Sequence, residues 1–78
     1  MSDGNPSAQE WLSGLATELG LDPPTSKEIE NLLDLAGVAA HSSERIAAPI
    51  ACWMIGLAKI ESADALALVQ KYENGRVG

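Results

Sequence analysis

The sequence predicts an all-α fold: a small bundle of about four helices with an apolar central third helix. Three observations carry this. Apolar residues recur at spacings of three and four. Capping residues and helix stops bracket those stretches. No segment alternates apolar and polar residues over the length of a strand.

The first helix is expected to open at Asn5-Pro6. Asn caps free amides, and Pro loses nothing there by lacking an N–H. Trp11, Leu12, Leu15 and Leu19 form its apolar stripe, and Gly20 is the left-handed stop. Asp22-Pro23-Pro24 is a stiff, extended connector. Thr25 and Glu28 then form a capping box for a second helix. Ile29, Leu32, Leu33, Ala36 and Ala40 line one of its faces, widened by Leu35 and Val38, and it fades near His41-Ser42-Ser43.

The third helix, Ile46 to Ala58, is apolar all round. A helix without a polar face is buried on most sides, so it is either the centre of the bundle or shared with another subunit. Pro49 belongs in a first turn, which starts the main helix near Ala48. Ser62 caps a fourth helix with Asp64 in its first turn. Leu66, Val69 and Tyr72, helped by Ala65, give its apolar side, and Asn74-Gly75 ends it. The organisation expected is a disordered N-terminus at 1–5, a single helical domain at 6–74 and a C-terminal tail at 75–78.

Composition narrows the function classes. One Cys excludes an internal disulfide, and one Cys with one His excludes a zinc site built from three or four such ligands. Five Lys and Arg stand against eleven Asp and Glu, a net charge of −6 that excludes a basic nucleic-acid binder. The charge is uneven. Asp3, Glu10, Glu18, Asp22, Glu28, Glu30 and Asp34 face Lys27 alone in the first half, whereas four acids and four bases balance after residue 34. The acidic half serves solubility or steers toward a basic protein surface. No apolar run reaches the length of a membrane span, and no positive start precedes an apolar stretch, so a cytoplasmic protein is expected. A chain of 78 residues buries a modest core, so it needs good helix packing or a second chain to supply burial.

The order Trp11…Leu19-Gly20, Leu33-Asp34-Leu35-Ala36, then Ala40-His41…Arg45…Ala48-Pro49…Gly56 resembles a small bacterial family of unknown function. That family occurs alone or fused to molybdenum-cofactor guanylyltransferase, and it is often encoded near formate dehydrogenase. The resemblance covers roughly residues 10–72. Its most specific piece is Ala40-His41-x-x-x-Arg45-x-x-Ala48-Pro49, although Ser42-Ser43 stand where a small residue is expected after the His. It implies a cellular setting and no reaction.

Among the residues that carry chemistry, His41, Ser42, Ser43 and Arg45 form the candidate anion or ligand site, at the corner between helices two and three. Free amides at a helix start attract anions, and Arg45 would clamp a phosphate or carboxylate beside them. The pyrophosphate of a pterin dinucleotide suits such a corner. The structural alternative is that His41 complements a helix dipole, Ser43 caps the next helix, and Arg45 pairs with Asp34 or Glu44. Asp34, His41 and Ser43 make no hydrolytic triad, because seven residues of helix separate Asp34 from His41 by about 10 Å. Cys52, Trp53 and Gly56 are the interface candidates: Cys52 and Gly56 permit a close approach, and an exposed Trp53 would anchor a partner. Otherwise Cys52 is an inert small hydrophobe, and Trp11, Trp53 and Tyr72 are core.

The functional expectation is a non-catalytic accessory or interaction protein with a protein partner or a second copy. The resemblance makes that partner a molybdenum-cofactor enzyme such as formate dehydrogenase, or a maturation factor, so a molybdopterin-type cofactor enters through the partner. The alternative is a small-ligand binder holding an anionic, pterin dinucleotide-like cofactor at the helix 2–3 corner. No nucleic acid, membrane or metal is expected.

Overall fold

The computed structural model describes residues 6–77, and among them there are four helices and no strand. They are α1 (Ala8–Leu19), α2 (Ser26–Ser42), α3 (Ala47–Ala58) and α4 (Ser62–Val77). The all-α class expected from the sequence is what the chain adopts.

Local chemistry sets the boundaries. In α1 the cap is Ser7, with a reciprocal box: Glu10 N–H donates to Ser7 Oγ at 3.1 Å, and Ser7 N–H to Glu10 Oε1 at 2.9 Å. The expected cap at Asn5 and the N-terminal segment 1–5 lie outside the described residues. Gly20 stops α1 at φ 72°, as expected. Thr25 and Glu28 form the second box, with bonds of 3.0 and 2.8 Å. Helix α3 starts at Ala47, which puts Pro49 in the first turn. Helix α4 runs through Asn74-Gly75 to Val77 instead of stopping there. Its last turn is braced by Arg76, whose guanidinium grips Glu73 one turn back at 3.0 and 2.9 Å. Positions 75–77 are therefore helix, not tail.

The centre of the bundle is α2, not α3. Helix α2 packs along both α3 and α4, while α1 packs extensively against none of the others. Asn31 near the start of α2 meets Ser62 at the start of α4, and Val38 and Ser42 near its end share a cleft with Val69 and Glu73, so α2 and α4 run parallel. Helix α3 runs back along α2, its second half reaching Leu32 and Glu28. The core is thin: Ala16, Leu35 and Ala65 are the buried apolar residues, joined by buried Asn31. On α2 the inward line is Asn31, Leu35, Val38 and Ser42, spaced four, three and four apart. Leu33, expected on the core face, points out. Two polar members of the inward line masked its period in the sequence.

Helix α3 holds no buried residue. Its small side chains, Ala47, Ala48, Ala51 and Cys52, are half-buried with Ile55, while Ile46, Ile50, Trp53, Met54 and Leu57 are 57–72% exposed. Its uniform apolarity therefore reflects an open outer face and a small-residue inner face. Trp11, Trp53 and Tyr72 are likewise 58–67% exposed, not core.

Candidate functional site

Of the four candidate residues at the corner between α2 and α3, the structure brings Ser42 and Ser43 to one cleft and leaves His41 and Arg45 outside its lining. His41 sits exposed in the last turn of α2. Ser43 ends α2, with φ −136° and ψ −109°, and its N–H donates to the Ala39 carbonyl at 3.1 Å. It does not cap α3, whose N-cap is Ile46 without a side-chain hydrogen bond. Arg45 is exposed and makes no ion pair with Asp34, Glu44 or any other described residue.

The first amides of α3 turn back on the segment before it. The Ala47 amide donates to the Glu44 carbonyl at 2.8 Å and the Ala48 amide to the Arg45 carbonyl at 3.2 Å. Pro49, next in line, has no N–H. The turn thus engages the first two amides of α3, while those of Glu44, Arg45 and Ile46 donate to no backbone acceptor among the described residues.

Ser42 and Ser43 belong instead to a cleft of ≈ 480 Å³ between α2, α3 and α4. Val38 and Ala39 form its α2 wall, with Ala47, Ala51, Met54 and Ile55 on one side and Leu68, Val69 and Tyr72 on the other. Glu73 and Arg76 stand at its α4 end, and neither His41 nor Arg45 lines it. The hydrogen bond from Arg76 holds the Glu73 carboxyl below its ordinary range, the guanidinium charge adds to this, and Ser42 contributes a smaller pull. The two charges are thus spent on each other. The cleft offers apolar walls with a neutralised polar end, which suits an apolar side chain better than a multiply charged cofactor.

The interface candidates divide between two surfaces. Cys52 and Gly56 line a second depression with Leu32, Ile55 and Ile60. Burial pushes the Cys52 thiol up, which disfavours the thiolate. The space a Cβ on Gly56 would fill is open to 4 Å, so among the described residues no other element's backbone approaches it closely. Trp53 lies on the open face of α3, 65% exposed, and is the centre of an apolar stripe. Sequence reasoning named Trp53 but missed its companions Ile46, Ile50, Met54 and Leu57. Their spacing of four, seven, eight and eleven residues from Ile46 was the available signal.

Among the described residues no three His, Cys, Asp or Glu side chains gather to hold a metal ion. No helix there is long and apolar enough to cross a membrane. No curated protein and no solved structure matches the chain. A family match spans residues 3–75, nearly the full length, and on that ground the chain belongs to the DUF6457 family, a domain of unknown function.

Proposed function

We propose that this chain is a non-catalytic docking module whose α3 face is completed by a protein partner. One observation supports the reading above the others: α3 turns its small residues inward and its large apolar residues outward. A stripe about 100° wide normally faces a core. Here it faces solvent, and covering each of its five large side chains contributes on the order of 1–2 kcal/mol.

The setting we favour is the molybdenum-cofactor machinery, with a formate dehydrogenase or one of its maturation factors as partner. What supports this setting is the resemblance carried by Ala40-His41…Arg45…Ala48-Pro49. A molybdopterin-type cofactor would be held by that partner.

Native mass spectrometry of the protein taken from its own cells at natural abundance tests this reading. A complex containing a molybdoenzyme or maturation protein is expected. Recovery of the chain as a bare monomer would overturn the docking role. A monomer carrying a few hundred daltons of small molecule would replace it with ligand binding.

A further inference from the structure

We propose that the cleft between α2, α3 and α4 binds a free apolar α-amino acid, with its side chain between the helices and its zwitterionic head against Glu73 and Arg76. This goes beyond the docking reading and does not depend on what covers the outer face of α3. The body of the cleft suits an apolar group. At ≈ 480 Å³ it lies within the range of about 300–1,000 Å³ usual for small-molecule sites. Val38, Ala51, Met54, Ile55, Leu68 and Val69 wall it with apolar side chains. Helices α3 and α4 both pack on α2 yet share little contact with each other, which keeps the gap between them open.

The polar end decides the head group. Arg76 gives two of its five N–H groups to Glu73, from Nε and Nη2. The others meet no described acceptor and leave one edge of the guanidinium fork free, the geometry that takes a carboxylate. The Glu73 oxygens each accept one of those bonds and keep lone pairs for a further donor. Ser42 stands at the same end, close enough to add its pull on the Glu73 carboxyl. A positive donor and a negative acceptor therefore lie side by side where the apolar walls end.

A ligand must match that pair. A carboxylic acid alone sets its charge against Glu73 and against the chain's net −6. An amine alone sets its charge against Arg76. The head of an α-amino acid carries both charges on one carbon. Its carboxylate turns to Arg76 and its ammonium to Glu73, so that two opposed dipoles meet. Its charges cancel, so the acidic chain does not repel it. A branched or thioether side chain, as in leucine or methionine, then fills the space between the walls, where leaving water drives its binding.

An NMR titration of the full chain with L-leucine, to about 20 mM near neutral pH, tests the proposal. Saturable amide shifts are expected at Ser42, Ala51, Val69 and Glu73, with a Kd on the order of 1 mM, the strength so small a ligand reaches in an open site. 4-Methylpentanoate and isopentylamine, which each lack one charge of the head, should bind at least about 10-fold more weakly. Arg76→Gln should weaken L-leucine by a similar factor. Ala51→Leu, which fills the cleft, should abolish binding while circular dichroism shows unchanged helix content. Absence of saturable shifts with both L-leucine and L-methionine would overturn the site. Equal binding of either one-charge analogue would overturn the role given to Glu73 and Arg76. Binding that survives in a folded Ala51→Leu variant would overturn the assignment to this cleft. Should that variant not fold, shifts of the wild-type chain that map away from the cleft would overturn it equally.

Discussion

The Asn31 side-chain amide donates to Ser62 Oγ at 3.1 Å, joining the first half of α2 to the first residue of α4. Asn31 is the buried polar residue of the core, 6% exposed, and this bond explains how it is tolerated. Ser62, expected as a helix cap, spends its hydroxyl on the tertiary bond instead.

Ser62→Ala is expected to destabilise the chain by about 1–3 kcal/mol, because the Asn31 amide loses its partner in a buried place. Adding Asn31→Leu should recover much of that loss, since an apolar pair of similar shape removes the unsatisfied group. Urea unfolding of the two single variants and the double variant gives the comparison.

Leu35 is the largest fully buried side chain, with 0% exposure. Leu35→Ala should cost about 2–5 kcal/mol. A domain this small has little reserve, so helicity at 25 °C is expected to fall visibly. Circular dichroism melting reads the effect.

Lys59 ends α3 in the left-handed region at φ 58°, and its N–H donates to the Gly56 carbonyl at 3.1 Å. A side chain there is strained, and glycine removes the strain while keeping the amide. Lys59→Gly is expected to stabilise the fold by about 0.5–1 kcal/mol, raising the thermal midpoint by several degrees.

The Glu73–Arg76 pair predicts a pH effect with a definite sign. The folded carboxyl is held below its ordinary value of 4.5, chiefly by the Arg76 hydrogen bond. Its support for the last turns of α4 is complete above the ordinary carboxylate range. That support is lost as pH falls through the lowered value. An NMR titration should place the Glu73 midpoint below 4.5, and Arg76→Ala should return it toward that value.

Helix identity was legible because capping is local chemistry. Thr25-Ser26-Lys27-Glu28, Gly20 and Pro49 act on their nearest neighbours, and each does what its residue type dictates. The Ser7-x-x-Glu10 box was equally legible, yet the Asn-Pro signal two residues earlier drew the cap away from it. Tertiary arrangement was harder to read. Apolarity all round α3 fits a buried helix and a helix with one face awaiting cover equally well, and only the positions of α2 and α4 decide between them. The inward line of α2 was obscured because Asn31 and Ser42 interrupt its apolar period. The His41–Arg45 corner looked like a site because its residue types suit both anion binding and turn formation. Which of them share a cleft, Ser42 and Ser43 and not His41 or Arg45, depends on where α4 lies, which composition does not record.

The sparse packing of α1 has a kinetic consequence. Its tertiary ties include buried Ala16 and a 3.4 Å bond from the Gln9 amide to Ser26 Oγ. Twelve residues of helix are marginal in water by themselves, so its caps supply much of what keeps it wound. Unwinding α1 disturbs little of the contact between α2 and its two neighbours. Its amide hydrogens should therefore exchange with deuterium by a local opening well below the global unfolding free energy. Those around Leu35 should wait for the whole bundle to come apart, which makes this short chain two cooperative units of unequal lifetime.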